Sequence, residues 1–577
     1  MGKIAVPVLL VVAAIVIYLP AMGGSFLWDD EISIIKNDLL RQADGLWLFW
    51  TTIGTVPLEE HYWPITYSAL WLEWRLWGEA AVGFHAVNVI LHAIVGIQIW
   101  RLMRRLGLPG AWLAAALFVA HPVNVEAVAW VISIKGLLAA LFFLLCIEFY
   151  MNHEERGGRT WMILAATAAA AAMLSKSSPV MLPVALGILA WYRRGRLEKN
   201  DWAGVALIAE VVIVLAFVDL WVVRQVLKDA PPAAIPPLAD RLAQAGWTFW
   251  LYVEKLLWPL NLSPFYPPLR VSAARVADWI PLAAILPVTA GLWLARRRIG
   301  RGPVACWVYY GVMLGPILGI VYFSFLRLSP AGDRYQYLAM IAPVAGAGAL
   351  AGAWIERGAG RARIARAAPA VAVLAALASL TFRQAGIYRD QETLFRHAVA
   401  VAPDSAEAQY DLATTLLRTN PAEAEKYYAE TVRLKPDHWA AVCNLGILQL
   451  SQDRFADAAR TYQQALDRGC PDTGVFQNYA WILAASPEPG VRKPQQALEL
   501  ANRVMQEPRA KTDPEVYSLL AAAQAANGRF DEALDMARQG RQIALETRQY
   551  DSIRKLVEMI GLFMDRQPYV LPRESVL

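Results

Sequence analysis

The chain has 577 residues, of which 57% are hydrophobic and only 18% are charged, and its mean hydropathy is +0.35. Soluble domains are smaller than this and about one quarter charged, so the composition excludes a single soluble domain and places most of the chain in lipid. The formal net charge is only +5, and we expect no nucleic acid among the partners.

Apolar stretches of about 17 to 25 residues are long enough to cross a bilayer. Such stretches recur as far as residue 382, and we read eleven of them as spans, near residues 4–21, 83–101, 111–129, 133–151, 161–175, 178–192, 203–226, 277–295, 303–325, 336–354 and 367–382. The first could instead be a cleaved signal peptide. Its length and the carboxylates that follow it favour an uncleaved anchor.

The positions of Lys and Arg predict the orientation of the spans. Within residues 1–382, most Lys and Arg fall in five short segments that start at residues 101, 153, 192, 296 and 356. The positive-inside rule places all five in the cytoplasm. This assignment requires that residues 247–262, which include Glu254 and Lys255, do not cross the membrane, so we interpret them as an interfacial or re-entrant helix on the outer face. The N-terminus is then cytoplasmic and the C-terminus extracytoplasmic.

A repeat of about 34 residues follows the apolar part of the chain. Its clearest copy has tetratricopeptide spacing at Leu445, Gly446, Ala458, Tyr462, Ala465 and Pro471. A looser copy runs through Ala424, Tyr428 and Pro436, a third starts at Gln477 with an insertion at "SPEPGVRKPQQ", and a fourth starts at Pro514. Stacked copies bury the apolar face that one repeat leaves exposed. We therefore predict two domains, a polytopic membrane domain over 1–382 and a soluble α-solenoid over 383–577.

Under this topology, the ionisable residues of the membrane domain gather on its outer face. They lie in the loops that contain Asp29, Asp30, Glu31, Glu59, Glu60, His61, His121, Glu126, Lys135, Lys176, Asp333 and Arg334. Taken singly, each has a structural explanation. "WDD" at 28–30 could cap a helix, "HPVNVE" at 121–126 could be a loop fixed by proline, and Lys176 or Arg334 could reach lipid headgroups. Acids and cations on one face of a membrane domain together indicate a functional site.

The chemistry that this set favours is transfer from a phosphate leaving group. A carboxylate near a dry site can accept a proton from an attacking hydroxyl, and Asp29 and Asp30 supply one. Cations stabilise the charge that develops on the departing phosphate. The candidates for this role are Lys176, Arg334, His121 and Lys135. The sequence has no GxxxxGK[ST] loop and no GxGxxG fingerprint, which favours a lipid-linked phosphate over a soluble nucleotide as donor.

Seven segments resemble one known family and occur in its order. They are "GGSFLWDDEISIIKND", "YWPITYSALW", "VGFHAVNVILHA", "HPVNVEAVAWVISIKGLLAALFF", "AMLSKSSPVMLPVAL", "YVEKLLWPLNLSPFY" and "LSPAGDRYQYL". The chain is similar in them to the transmembrane and tetratricopeptide-repeat O-mannosyltransferases. The resemblance implies an all-α, C-type glycosyltransferase fold that uses polyprenyl-phosphate sugars at an outer-face active site. Short arginine-rich loops and alanine-rich helices suggest a bacterial relative in the inner membrane, with the repeats in the periplasm.

The resemblance also implies roles for individual residues. Asp29 and Asp30 match the family's acid pair, with Asp29 as the base and Asp30 assisting. The family's other motif positions fall on His121, Glu126, Lys176 and Arg334, and supporting roles fall on Glu60, His61, Asp333 and Tyr335. Trp63 and Ala339 stand where the family usually has arginine and proline, Asp333 replaces a glutamate, and "ISIKG" replaces a pattern closer to "VGRAE". A divalent metal at Asp29, Asp30, His121 and Glu126 is left open, and no other cofactor is expected.

These observations predict an inverting membrane glycosyltransferase. It would move mannose or another hexose from a polyprenyl phosphate to Ser/Thr hydroxyls of extracytoplasmic proteins held by the repeats. Two alternatives stay open, a transferase that acts on an envelope glycan or lipid, and a non-catalytic scaffold anchored in the membrane. A transporter is disfavoured, because the acids cluster at one face instead of at paired broken helices in mid-span.

Overall fold

The computed structural model of the chain describes residues 4–54, 56, 59–228 and 235–573. Residues 229–234, in the proline-rich stretch before residue 238, lie outside the described residues. The described chain consists of α-helices joined by short 3₁₀ turns, one π turn and loops, and contains no strand. The all-α fold predicted from the sequence is confirmed. Cα packing divides the chain into two units, Met1–Ala402 and Pro403–Leu577.

The helices of the first unit are α1 Ala5–Met22, α2 Asp38–Arg41, α3 Gly45–Thr51, α4 Pro64–Trp77, α5 Ala81–Arg105, α6 Ala111–Val119, α7 Val125–Ala129, α8 Ile134–Arg156, α9 Arg159–Ser175, α10 Leu182–Arg194, α11 Lys199–Val226, α12 Leu238–Leu257, α13 Ile280–Ile299, α14 Gly302–Leu314, α15 Ile341–Glu356, α16 Arg361–Ala385 and α17 Gln391–Val401. Helix α17 joins this unit through His397, whose Nε2 lies 2.9 Å from the carbonyl oxygen of Leu262. The predicted domain boundary at residue 382 stays a prediction. The division by Cα packing lies later in the chain, after Ala402.

Several of these helices are long and apolar enough to cross a membrane. In the described residues six qualify, Ala5–Met22, Ala81–Arg105, Val131–Arg156, Asp201–Val226, Val276–Ile299 and Arg361–Arg389. Shorter apolar helices occupy Arg159–Ser175, Gly302–Ile317 and Ile341–Glu356. Each predicted span therefore has a helical counterpart. The counterpart of the predicted span 178–192 is α10. Helix α12, in the segment predicted not to cross, is not among the qualifying helices. The chain is a membrane protein, while its span count and orientation stay predictions.

Two predicted spans are not continuous helices. The stretch 111–129 breaks between Val119 and Pro122 with a bend of 51°. The stretch 303–325 is helical only as far as Ile317, and its remainder forms a loop and the 3₁₀ turn Ser324–Arg327. Proline explains both breaks, since it has no N–H to donate within a helix. Pro122 and Pro316 stand at the two positions. Both breaks lie next to polar residues that the sequence analysis assigned to one face of the membrane domain.

The second unit is built from paired helices. Its helices are α18 Ala406–Leu416, α19 Pro421–Leu434, α20 Trp439–Ser451, α21 Phe455–Asp467, α22 Thr473–Ala485, α23 Pro494–Met505, α24 Pro514–Ala526, α25 Phe530–Glu546 and α26 Tyr550–Met564. They alternate along the chain as four pairs followed by α26. The insertion predicted in the third copy is the long connection between Ala485 and Pro494, and the fourth copy starts at Pro514. The helical-repeat solenoid is confirmed.

The repeat signature residues form the core between paired helices. Ala458, Tyr462 and Ala465 are buried, as are Ala424 and Tyr428 of the looser copy. Gly446 is small for a packing reason, because a Cβ atom there would lie 2.2 Å from the ring of Tyr462. Close approach of the two helices therefore requires glycine at residue 446.

Candidate active site

The "WDD" segment forms a tight turn directly after α1. Trp28 has a positive φ of 51°, which L-residues rarely adopt and which costs about 1–3 kcal/mol. Its ring stacks on the indole of Trp130, with ring centroids 5.2 Å apart. The Trp130 indole N–H also donates to the carbonyl oxygen of Leu27 at 3.2 Å. These contacts hold the turn against residue 130 and compensate for the strain at Trp28.

Asp30 is the buried anchor of this turn. Its side chain is fully buried. One carboxylate oxygen accepts from the Leu27 N–H at 2.9 Å, and the other accepts from the Ile132 N–H at 2.8 Å. Burial raises the pKa of Asp30 to about 7, although the two backbone N–H groups lower it. Asp30 thus joins the first outer loop to the segment before α8 and does not face the solvent.

Asp29 points into a polar cavity of about 530 Å³. The cavity walls exclude enough water to raise the pKa of Asp29, while the nearby charges of Lys135 and Arg334 lower it. The carboxylate remains accessible from the cavity. Seven of the predicted site residues line this cavity, namely Asp29, Glu60, His61, Lys135, Lys176, Arg334 and Tyr335. The structure therefore brings together residues that are up to 306 positions apart in the chain.

Lys176 is a largely buried cation of the cavity. It follows the last residue of α9 and is 8% exposed. In the described part of the chain, no carboxylate lies within 4 Å of its ammonium group. Burial, together with the neighbouring charges of Lys135 and Arg334, lowers the pKa of Lys176 to about 7. A bound anion would raise this pKa again and hold the lysine protonated.

Arg334 is fixed by Glu126 and by aromatic rings. Its guanidinium and its backbone N–H both donate to the Glu126 carboxylate, the latter at 2.8 Å. Burial lowers the pKa of Arg334, but its acidic neighbours, with Glu126 first among them, together raise it above its ordinary value. The guanidinium also lies 4.3 Å from the ring centroid of Phe325 and 5.0 Å from that of Trp130. Glu126 therefore orients Arg334 at the cavity wall.

Lys135 contacts both a carboxylate and an aromatic ring. Its ammonium lies 3.8 Å from a carboxylate oxygen of Glu59 and 4.8 Å from the ring centroid of Trp63. The same Glu59 oxygen accepts from the hydroxyl of Tyr67 at 2.8 Å. Trp63, which stands where the related family usually has arginine, thus places an aromatic face where a further cation would lie.

His61 is held by an aspartate from a different helix. Its Nδ1 lies 3.0 Å from Asp219 of α11. The Asp219 carboxylate also accepts from the Ser177 hydroxyl at 2.7 Å and from the Tyr62 backbone N–H at 2.9 Å. Burial lowers the pKa of His61, and the hydrogen bond and charge of Asp219 raise it by more, so the pKa lies above its ordinary value.

Four predicted site residues do not line the cavity. They are Asp30, His121, Glu126 and Asp333. His121 lies at the break after α6, where its Nε2 is 3.0 Å from the carbonyl oxygen of Leu256. Asp333 is buried and accepts from the Tyr266 hydroxyl at 2.7 Å. Burial raises the pKa of Asp333 well above its ordinary value.

The set suggested for a divalent metal is not brought together. Glu126 is paired with Arg334, Asp30 with two backbone N–H groups, and His121 contacts a backbone carbonyl. In the residues that the structure describes, no group of three or more His, Cys, Asp or Glu side chains is arranged to hold a metal ion.

The sequence reasoning missed three contributors to the site. Ser177 and Arg327 line the cavity, and Asp219 holds His61. Asp219 could have been recognised, since it is an ionisable residue inside the apolar stretch 203–226, where such a residue is costly unless it is paired. The sequence alone does not indicate that its partner lies 158 residues away.

Comparison with known proteins gives independent evidence about the family that the chain resembles. Residues 63–221 match the family model described as dolichyl-phosphate-mannose-protein mannosyltransferase. The matched region contains Trp63, Lys135, Lys176 and Asp219. The loop with Asp29 lies outside it, as does Arg334.

The curated relatives are protein O-mannosyl-transferases of animals. F38B6.6 of Caenorhabditis elegans is 26% identical over 454 residues, which cover 74% of this chain and 63% of the relative. TMTC4 of Mus musculus is 25% identical over 480 residues, which cover 70% of this chain and 63% of the relative. The chain therefore spans less than two thirds of the length of these relatives.

Solved structures match at low overall similarity. The tetratricopeptide protein YrrB is 20% identical, with a TM-score of 0.23, and the match covers 30% of this chain and 92% of YrrB. Superpositions at this level carry no argument about fold or function. The ordered sequence motifs, the family match and the curated relatives confirm that the chain resembles the transmembrane and tetratricopeptide-repeat O-mannosyltransferases.

Proposed function

We propose that the chain is a membrane glycosyltransferase that moves a hexose from a polyprenyl phosphate to Ser/Thr hydroxyls of extracytoplasmic proteins. The names of its relatives indicate that this hexose is mannose. One observation carries the proposal, namely that Asp29 shares a cavity with Lys135, Lys176 and Arg334. An accessible carboxylate opposite several cations is the arrangement that transfer from a phosphate leaving group needs. The names of the curated relatives point to the same reaction.

In the proposed reaction, the acceptor oxygen attacks the anomeric carbon of the donor sugar. Asp29 accepts the hydroxyl proton as the new carbon–oxygen bond forms. The bond between the anomeric carbon and the phosphate oxygen breaks on the opposite side, so the configuration at that carbon inverts. The departing polyprenyl phosphate keeps the bonding electron pair, and Lys176, Arg334 and Lys135 stabilise its added negative charge. Asp30 acts as a positioning residue, because both of its oxygens are already bonded to the backbone.

The cavity also suits an amphiphilic donor. One wall comes from the loop after α14 and carries the apolar side chains Ile317, Phe323, Phe325 and Leu328. Arg327 of the same loop also lines the cavity. The other charged groups form a second wall, which comes from the loop with Asp29, residues 59–61, the start of α8, the turn after α9 and Arg334. A sugar phosphate could contact the charged wall while its prenyl chain follows the apolar one. The bilayer would deliver such a donor, and the repeat domain would bind the acceptor protein.

The proposal is tested in cells that express the wild-type chain, Asp29→Asn or Glu31→Gln. Glu31 is a matched control, because it lies two residues away, is exposed and pairs with Lys36 at 2.7 Å. Extracytoplasmic proteins are compared by intact-mass and glycopeptide mass spectrometry at equal levels of the chain. We expect Asp29→Asn to abolish a hexose-sized addition that Glu31→Gln retains. A glycoprotein profile unchanged by Asp29→Asn would refute the proposed protein transferase.

A further inference from the structure

A second, basic cavity lies at the opposite end of the helices that carry the site. Helix α8 starts beside the site at Lys135 and ends at Arg156, about 30 Å away at 1.5 Å per residue. Near that far end, a cavity of about 960 Å³ is lined by five arginines and by no acidic side chain. This cavity shares no lining residue with the proposed active site.

Three of the five arginines retain uncompensated charge. Arg105 is bonded to Glu155, and Arg193 to Glu154. In the described residues, no carboxylate lies within 4 Å of Arg296, Arg297 or Arg301. The contacts of Arg296 and Arg301 are to neutral groups. Arg301 lies 3.5 Å from the Tyr192 carbonyl oxygen, and Arg296 donates to the Trp293 carbonyl oxygen and lies 3.9 Å from the centroid of the Trp293 ring. This cluster therefore favours an anionic ligand.

An apolar cleft opens directly from the basic cavity. The cleft has a volume of about 630 Å³ and lies between α5, α8, α10, α14 and α15. It shares Leu106, Tyr192, Gly300 and Arg301 with the basic cavity, so the two are continuous. The rest of its wall is almost entirely apolar, with Phe143 and Ile188 on one side and the small residue Ala345 of α15 on another. A ligand that fills both spaces has an anionic head and a hydrocarbon tail.

Two tryptophans place the junction at headgroup depth. Trp191 and Trp293 line the basic cavity and stack on each other, with ring centroids 5.6 Å apart. Tryptophan is enriched where hydrocarbon meets lipid headgroups. The arginine cluster therefore lies at the level of lipid phosphates, on the membrane face opposite the proposed active site.

We propose that the basic cavity and the apolar cleft together bind an anionic glycerophospholipid of the bilayer. Its phosphate contacts Arg297 and Arg301, and its acyl chains occupy the cleft between α8, α10 and α15. Basic pockets between membrane helices bind acidic headgroups in this way. A polyprenyl phosphate is the other source of a lipid phosphate. The phosphate of a donor used at Asp29, however, must lie near Lys135 at the start of α8, at the opposite end of this helix from the arginine cluster. The site is therefore assigned to bulk phospholipid and does not depend on the proposed transferase activity.

Lipid binding is measured on the purified full-length chain in a neutral detergent. Native mass spectrometry follows titrations with phosphatidylglycerol, phosphatidylcholine and a polyprenyl phosphate. The test variant carries Arg297→Gln and Arg301→Gln. The control carries Arg298→Gln and Arg363→Gln, which remove the same charge from exposed positions outside both spaces. At about 1 kcal/mol per arginine, we expect phosphatidylglycerol to bind about 30-fold more weakly to the test variant than to the control.

A second variant tests the cleft without changing any charge. Ala345→Phe narrows the cleft, so it should weaken phosphatidylglycerol binding while the arginine cluster stays intact. The proposal is overturned if the two double variants bind phosphatidylglycerol equally, or if phosphatidylcholine binds as well as phosphatidylglycerol. It is also overturned if the polyprenyl phosphate displaces phosphatidylglycerol from the arginine cluster at equal concentration.

Discussion

The two adjacent aspartates should respond to substitution in opposite ways. Asp30→Ala removes the acceptor of two buried N–H groups, those of Leu27 and Ile132. An unsatisfied buried donor costs about 1–3 kcal/mol, so Asp30→Ala should lower the free energy of unfolding by about 2–6 kcal/mol. Asp30→Asn retains one carbonyl oxygen and should cost about half as much. Asp29 is accessible from the cavity, so Asp29→Asn should change stability by less than about 0.5 kcal/mol.

The stability of the wild-type chain should also depend on pH through Asp30. Its pKa is about 7 in the folded chain, above the ordinary value of 3.8, because burial disfavours the charged carboxylate. Between these two values the folded state binds more protons than the unfolded state. Stability therefore falls as pH rises from about 4 to about 7, by about 4 kcal/mol in all at 1.36 kcal/mol per unit. Asp30→Ala and Asp30→Asn cannot titrate and should lack this contribution.

The assay is thermal unfolding of each purified variant in one detergent, at pH 5.5 and at pH 8. At pH 5.5 the apparent unfolding temperatures should decrease in the order wild type, Asp30→Asn, Asp30→Ala, with Asp29→Asn equal to wild type. The gap between wild type and Asp30→Asn should narrow at pH 8. If Asp30→Ala unfolds at the same temperature as Asp29→Asn at both pH values, Asp30 does not anchor the loop and the reasoning fails.

Two further substitutions test how the cavity holds its charges. Burial and neighbouring cations lower the pKa of Lys176 to about 7, so Lys176 loses its charge as the pH rises above 7. The KM for a polyprenyl-phosphate sugar should therefore rise between pH 6 and 9. Lys176→Arg should flatten that profile, and a profile identical in both chains would contradict a phosphate contact. Asp219→Asn removes the charge that holds His61, so the pKa of His61 should fall, and kcat/KM should drop about tenfold with the acidic limb of its pH profile displaced to lower pH. An unaltered profile would show that His61 does not titrate in the reaction.

Local sequence patterns were sufficient for most of the fold. Length and hydropathy located the spanning helices, since a helix in lipid must satisfy its own backbone hydrogen bonds over about 20 residues. The 34-residue spacing located the paired helices, down to the close contact of Gly446 with Tyr462. Hydropathy could not show where a span breaks. The bend near Pro122 and the helix end near Pro316 depend on what the neighbouring helices offer the freed backbone groups.

The site was less predictable, because its contacts join distant parts of the chain. Charge on one membrane face was enough to identify Asp29, Lys135, Lys176 and Arg334 as neighbours, and all four line one cavity. The side chains that orient these four residues could be identified only from the structure. Glu126 belongs with Arg334, at a separation of 208 residues, and therefore not with a metal. His121 was predicted to bind phosphate from its place among the charged loop residues and from a family motif, whereas its ring contacts a backbone carbonyl and does not line the cavity.

The two explanations of "WDD", a structural anchor and a catalytic acid, apply to neighbouring residues. Adjacent side chains in a tight turn do not face the same way. The left-handed backbone of Trp28 starts the turn, which sends Asp30 inward to two backbone N–H groups and leaves Asp29 facing the cavity. Asp30 is buried and does not line the cavity, so its carboxylate has no contact with a substrate bound there. The position of Asp29 as the proposed base therefore depends on Asp30, and loss of activity in Asp30→Asn would come from a displaced Asp29, not from a lost base.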